Sequence, residues 1–463
     1  MINRAVALAL LLASCQATPR RPGRPPNVVY ILADDLGYAH LGSYGQEKIR
    51  TPNLDRMAAE GARFTQFYSG NPVCAPSRSC LMTGTHSGHT SVRINPGGTP
   101  LLDSDVTIAE VLKPAGYATG AFGKWGLGDI DTPGVPWTQG FDEFFGYLHQ
   151  VHCHFYHPSF LWKNGRKFPL PGNEGGKREQ YSHDLVVREA MDFIRRRKDA
   201  PFFAYVAFTI PHTELLVPED SLAEYRGKFP EDKPYVGTHY SSQPTPRAAV
   251  AAMITRMDRD VGRILALLRE LGLEENTLVL FTSDNGGQSG DGPDLEFFNA
   301  NRPLRGAKGT VYEGGIRVPM IARWPGRIAS GRADDFVWAN WDVLPTLAEL
   351  AGVAPPRGID GHSVLDRVLG TGPGRPHDFL YWEHPARGDL LQGVRMGNYK
   401  AVRLRRGAPL ELYNLHDDVG ETRDIAAQHA GVVAKIEEYL KTARTEPRKY
   451  EPQPRVTRAD YMK

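Results

Sequence analysis

Uninterrupted apolar runs mark the chain at three places: 28–32 in NVVYILADDLG, 202–208 in PFFAYVAFT and 278–281 in TLVLFTSDNGG. Strands buried on both faces read this way, and they belong to parallel sheets covered by helices. Elsewhere the apolar positions return every three or four residues. That spacing predicts helices over 183–197 and 247–271 and a shorter one around 106–112. Thr51-Pro52 marks another helix start, with Pro in the first helical position. YATGAFGKW reads as one more strand. Strands alternating with helices predict an α/β fold around a large, mostly parallel central sheet. From about residue 373 the texture changes to short alternating segments, YWEH, YKAVRLRR and ELYNLHDD, with a helix expected over 425–443. A smaller C-terminal antiparallel sheet is the expectation there, and no internal repeat is evident.

The N-terminus carries an address. A basic start, the apolar stretch AVALALLLA and then Ser14-Cys15 form an export signal too short to span a bilayer. LASC resembles a bacterial lipoprotein signal, which implies cleavage before Cys15, a lipid on that cysteine and, with Gln16 following, an outer-membrane or surface position outside the cytoplasm. The expected organisation is a signal at 1–14, a Pro/Arg-rich tether at 15–26, a main α/β domain at 27–372 and a C-terminal α+β subdomain at 373–463. With Cys15 lipidated, Cys74, Cys80 and Cys153 cannot all pair, so no disulfide framework is expected. The 55 Lys and Arg against 53 Asp and Glu leave a net charge of +2, which gives no reason to invoke nucleic acid.

Two of the strands end in acids, Asp34-Asp35 and Asp284-Asn285. Ligands of open α/β sheets gather beyond the carboxyl ends of strands. Three carboxylates and an amide converging there repel unless a hard cation joins them, and an all-oxygen set suits Ca²⁺ or Mg²⁺. Asp and Asn also build ordinary strand-end turns, so either pair alone would be ambiguous. Cys74 in NPVCAPSRSCLMTG heads a predicted helix, where the terminal N–H groups favour a thiolate. A soft thiolate matches hard-cation chemistry poorly, and the two readings conflict.

Cys74-Ala75-Pro76-Ser77-Arg78 resembles the Cys-x-Pro-x-Arg signature of type I sulfatases, whose cysteine is oxidised to formylglycine. The similarity continues through NVVYILADDLG, GKWGLG, IPHTEL, TSDNGG, LRGAKGTVYEGGIRVP and ELYNLHDD, nearly the whole exported chain. It implies an alkaline-phosphatase-like α/β/α sandwich and resolves the conflict, because a formylglycine hydrate offers a hard oxygen. By the same resemblance Asp34, Asp35, residue 74, Asp284 and Asn285 hold Ca²⁺, with Mg²⁺ chemically permitted. The resemblance further implies that the hydrate derived from Cys74 attacks sulfur, that Lys308 and Lys124 hold the sulfate and that Arg78 neutralises the acids, with His212 the candidate for protonating the leaving oxygen.

One position departs from the family pattern. Gly126 stands where many relatives have the histidine of Gly-Lys-Trp-His-Leu-Gly, a residue thought to take a proton when sulfate leaves. LHQVHCHFYHP offers replacements: in an extended segment His152 and His154 share a face, and His154, or else His152, is expected in the pocket. A Zn²⁺ site from His152, Cys153 and His154 lacks metal-ligand spacing. Tyr156, Trp162 and Asn164 are candidate sugar contacts. The expected substrate is a sulfated glycan and the expected partner a formylglycine-installing maturation enzyme. Competing readings are a phosphonate monoester or phosphodiester hydrolase of the same superfamily and a non-catalytic glycan-binding lipoprotein.

Overall fold

The computed structural model describes residues 24–290, 292–386, 388–450 and 456–462. The stretch read as an export signal, Cys15 and most of the expected tether lie outside the described residues. Eleven strands form the main sheet: β1 (Asn27–Ala33), β2 (Ala62–Tyr68), β3 (Ala118–Lys124), β4 (Glu143–Tyr147), β5 (Phe160–Lys163), β6 (Arg166–Pro169), β7 (Phe202–Ala207), β8 (Thr277–Ser283), β9 (Arg317–Arg323), β10 (Arg332–Asp334) and β11 (Trp338–Ala339). They run in the order β10-β2-β9-β8-β1-β7-β3-β4-β5-β6, with β11 also on β2. The five central strands, β8-β1-β7-β3-β4, are mutually parallel, and β9, β5 and β6 pair antiparallel at the flanks.

Alternation along β1 divides the core between the two faces. Val29 and Ile31 point into the layer holding the helices Pro52–Ala59, Ser182–Arg197 and Pro246–Glu270. Val28, Tyr30 and Leu32 point into the opposite layer, with the helices Cys74–Thr83, Ile108–Leu112 and Val343–Ala351. Both layers exclude water from β1, which explains its unbroken apolar run. Truncating Ile31 to Ala would cost about 2–5 kcal/mol.

The register of the parallel strands positions the chemistry. Ala33 pairs with Ser283, so Asp34-Asp35 and Asp284-Asn285 leave the sheet side by side. Gly123 pairs with Ala207, which brings Lys124 and the turn after β7 to the same edge.

The C-terminal sheet is antiparallel: β12 (Leu380–Ala386), β13 (Asp389–Met396), β14 (Tyr399–Arg403) and β15 (Glu411–Asn414), in that order. The expected long helix after it is interrupted. Ala426–Gln428 is a 3-10 turn, His429 leaves helical geometry, and the regular helix runs over Ala430–Leu440. It packs on one face of the small sheet, while Trp382, Val402 and Tyr413 on the other meet Tyr68, Val311 and Trp341. A buried ionic cluster lies at this junction. Lys400 Nζ donates to Glu313 Oε1 (3.0 Å) and Glu421 Oε1 (3.4 Å), and Tyr68 Oη (2.6 Å) and Arg317 Nη1 (3.3 Å) donate to Glu313 Oε2. The Glu313 backbone N–H donates to Glu421 Oε2 (2.7 Å), and Arg395 Nη1 donates to Tyr68 Oη.

Candidate active site

Cys74 is the first residue of its helix, after Val73 in extended conformation. The N–H of Ala75 is taken by Asn95 Oδ1 (3.0 Å), and Gly84 in left-handed geometry ends the helix. The thiol is wholly buried and donates to Asp34 Oδ1 (3.4 Å), with Asp35 Oδ1 at 4.0 Å. Burial, then the Asp34 carboxylate, push the thiol's pKa well above its ordinary value. The helix terminus therefore does not produce a thiolate here. The unmodified sulfur is a poor nucleophile in this place.

The acids are organised by three cations, Arg78 and Lys124 buried and Lys308 partly exposed. Arg78, one turn along the helix, donates to Asp284 Oδ2 through Nε (3.1 Å) and Nη2 (2.8 Å) and to the Lys124 carbonyl through Nη1 (2.9 Å). Lys124 Nζ donates to Asp34 Oδ2 and Lys308 Nζ to Asp35 Oδ2, both at 2.7 Å. Burial opposes ionisation of Asp34, yet Lys124 and its neighbours hold its pKa well below the ordinary range. Burial likewise works against the Lys308 charge, and Asp35 overrides it, so the ammonium is held above its usual value. Asp284 is pushed up to about 6, by burial and then by Asp34. The structure thus brings together Asp34, Asp35, Cys74, Arg78, Lys124, Asp284, Asn285 and Lys308, all of the residues expected around the nucleophile.

These residues suit a hard cation. Asp34, Asp35, Cys74 and His212 each direct one donor atom into a space in which those atoms lie within 4.8 Å of one another. Asn285 Nδ2 donates to Asp35 Oδ1 (2.7 Å) and to the Gly286 carbonyl (2.9 Å), while its buried Oδ1 has no partner among the described residues. An unpaired buried carbonyl oxygen beside three carboxylates is a ligand for an oxygen-seeking divalent ion. Three acids balance three bases, so a bound divalent ion leaves the site net positive and matched to an anionic ester.

His212 follows β7 and is buried, with Nε2 3.6 Å from Asp35 Oδ2. Its Nδ1 lies 2.8 Å from the Thr213 carbonyl, which can only accept, so Nδ1 carries the proton. Burial, and next Lys308, lower its pKa to about 4. His154 stacks on it, ring centroids 4.9 Å apart at 14°, and shares a proton with His239 across 2.9 Å (Nδ1 to Nε2).

The histidine segment departs from expectation. His152–His154 forms a 3-10 turn, so His152 and His154 do not share a face. His152 Nε2 meets the Phe160 carbonyl (3.0 Å) and its ring stacks on Tyr461 at 4.2 Å, away from the acids. Cys153 Sγ donates to the Gln150 carbonyl (2.7 Å) and does not join the neighbouring imidazoles, which removes the geometry a Zn²⁺ site would need. Two of the expected sugar contacts serve the scaffold instead. The buried Tyr156 hydroxyl donates to the carbonyls of Thr209 (2.7 Å) and His212 (2.6 Å), and Asn164 Oδ1 accepts from the Phe144 N–H (2.7 Å). Trp162 is buried against Phe160.

His239 and Tyr240, whose rings lie 5.2 and 5.3 Å from that of His154, were not legible in advance. They sit on a stretch without periodicity, tied down by Ser241, whose N–H and hydroxyl donate to the buried Glu214 (both 2.8 Å). Gln150 was also missed, although the glycine at 126 was a signal that some other side chain fills that space.

A cysteine-headed helix, strand-end acids and ion-paired lysines at the carboxyl edge of a doubly covered sheet define a hydrolase of the alkaline phosphatase superfamily. The Sulfatase family profile covers residues 26–353, and that of the N-sulphoglucosamine sulphohydrolase C-terminal region covers 307–446. The chain belongs to the sulfatase family, enzymes that hydrolyse sulfate esters. It is 36% identical over 426 residues to N-acetylgalactosamine-6-sulfatase of Canis lupus familiaris, spanning 85% of this chain and 74% of that one. With human arylsulfatase A the identity is 34% over 481 residues, spanning 90% and 87%. The crystal structure of Ps i-CgsB in complex with k-i-k-neocarrahexaose superposes with a TM-score of 0.77 at 29% identity, covering 92% of this chain and 94% of that one.

Proposed function

We propose that this sulfatase removes sulfate from a sulfated carbohydrate, using a formylglycine formed from Cys74 beside a calcium ion held by Asp34, Asp35, Asp284 and Asn285. The observation that carries the reading is Cys74 Sγ, 3.4 Å from Asp34 Oδ1 in a cluster otherwise built of hard oxygens and ammonium groups. A sulfur atom suits neither nucleophilic attack nor hard-metal ligation there, whereas an oxygen on the same carbon suits both. The hydrated aldehyde would supply the attacking hydroxyl, and the calcium ion would supply positive charge for the sulfuryl oxygens.

The protein's own groups have separate tasks. Lys124 and Lys308 deliver ammonium charge to the sulfuryl oxygens. Arg78 fixes Asp284 and, through the Lys124 carbonyl, the end of β3. His212 has its Nδ1 proton committed to Thr213, so Nε2 is the atom that moves a proton. An anionic ester beside it raises its affinity for that proton, which it then gives to the departing alcohol. His154, stacked on His212 and bonded to His239, provides a proton route toward the surface.

The carbohydrate reading draws on the relatives, one named for N-acetylgalactosamine 6-sulfate and one solved with a carrageenan oligosaccharide. Export as a lipoprotein anchored through Cys15, outside the cytoplasm, would give the enzyme access to such polymers. The test combines maturation and turnover. Protein made with a formylglycine-installing enzyme is digested, and the Phe64–Arg78 peptide is weighed. The expected result is an aldehyde at residue 74 and release of sulfate from sulfated galactose or N-acetylgalactosamine. An active enzyme with an intact thiol would overturn the nucleophile, and faster cleavage of phosphonate or phosphate esters would overturn the substrate class.

A further inference from the structure

Gln150 is the one side chain, among the described residues, with two buried polar atoms that find no partner, Nε2 and Oε1. It is only 2% exposed. Such burial removes both ends of the carboxamide from water and returns nothing within the protein. A side chain that only filled space would serve better as Leu or Met.

Its position gives the reason. Trp125 N–H donates to the Tyr147 carbonyl and Gly126 N–H to the Leu148 carbonyl, both at 3.0 Å, so the chain beyond Lys124 runs beside the chain that leads to Gln150. Gly126 has φ +75°, and a Cβ built there would lie 2.7 Å from Gln150 Oε1. The carboxamide thus occupies the volume that a side chain at 126 would fill. The stretches of chain on both sides of that volume serve the site. Lys124, two residues earlier, reaches Asp34, and its carbonyl holds Arg78. The same segment that carries Gln150 ends at His154, stacked on His212.

We propose that Gln150 is a catalytic residue of the sulfatase reaction, its Nε2 donating a hydrogen bond to an oxygen of the bound sulfate group. Here it takes over the place that Gly126 leaves open. The proposal rests on the sulfate-ester reading of the site. A carboxamide neither gains nor loses a proton near neutral pH, so Gln150 orients and stabilises the anion while proton transfer stays with the histidines. Gly126 is then required, because any larger residue would displace the amide.

The test uses the full-length, formylglycine-matured enzyme with Gln150→Leu and Gln150→Met, both close in volume. Three quantities are read: kcat/KM on 4-nitrophenyl sulfate, calorimetric affinity for inorganic sulfate, and thermal midpoint. The expected result is a loss of about 100-fold in kcat/KM and weaker sulfate binding, with the midpoint unchanged or raised because two unpaired groups are gone. Gln150→Glu should lose more, through repulsion of the anion, and regain part of the loss as pH falls. Unchanged kcat/KM and sulfate affinity in whichever of the two apolar variants folds would overturn the proposal, as would losses that only track a lowered midpoint. If the wild-type enzyme cleaves no sulfate ester yet binds sulfate more tightly than Gln150→Leu, the sulfatase reading falls and the contact stands.

Discussion

Two of the ionic clusters buried among the described residues, one at the carboxyl edge of β1 and β8 and one where the two sheets meet, are finished differently. At the sheet junction, Glu313 and Glu421 have all four carboxylate oxygens filled by donors of the protein, from Lys400, Tyr68, Arg317 and a backbone N–H. At the sheet edge, Asn285 Oδ1 has no donor among the described residues, and the Cys74 thiol leans on Asp34 at 3.4 Å. Charge alone therefore does not mark function. A cluster whose acceptors are all occupied holds the fold, and one with acceptors left over is made to receive something.

Removing the centre of each cluster gives the sharpest contrast. Cys74→Ala in the active cluster should lower turnover by roughly 10⁴-fold or more, since it removes the proposed nucleophile, while the unfolding midpoint changes little. Steady-state kinetics and a denaturant titration on one preparation check both halves. Lys400→Met, at the junction, should do the reverse. It leaves Glu313 and Glu421 buried without their shared cation, at a cost of about 3–5 kcal/mol, and kcat of the protein that remains folded should be unchanged. A Lys400 variant with normal stability and lost activity would break the distinction.

Metal addition sharpens it at a smaller energy. Calcium at 100 times its dissociation constant should stabilise the chain by about 2.7 kcal/mol. The gain should shrink in Asn285→Ala, which removes the free oxygen, and persist in Lys400→Met. Differential scanning calorimetry with and without a chelator reads this, and equal gains in wild type and Asn285→Ala would place the ion elsewhere.

Much of the active cluster is legible in the sequence because β1 and β8 are short, unbroken and parallel. Once both runs are strands, Ala33 opposite Ser283 forces the following acids together. The junction cluster gives no such sign, for Glu313 starts a short helix, Lys400 lies on β14 and Glu421 in the loop after β15, and no local pattern encodes how these dock. The histidine segment failed for a related reason. An extended reading put His152 with His154, whereas the ring of His152 stacks against Tyr461, more than 300 positions away, a contact that spacing cannot reveal. Gln150 has no motif around it and shows itself only through the space above Gly126.

The smallest expected effect concerns pH, and its sign separates the two acids of the junction. Burial, opposed by Lys400 and reinforced by Glu313, pushes Glu421 up to about 7 from an ordinary 4.5. Between those values the folded protein holds a proton that the unfolded chain has released, so stability falls as pH rises through the window. Below about 4.5 the cost is absent, and above about 7 it is fully present. Glu313 is displaced the other way: burial opposes its charge, but Lys400 prevails and holds it at about 2, so its contribution is lost as pH falls from about 4.5 toward 2. The two carboxyls titrate as a pair, and the observable is the stability difference between wild type and Glu421→Gln across pH. That difference should slope between about 4.5 and 7 and be flat above. Asp284, raised to about 6, overlaps the window but is common to both proteins and cancels. Calcium should leave the difference untouched, because Glu421 lies outside the cluster proposed to receive it. A calcium-dependent slope would mean that the two clusters are coupled after all.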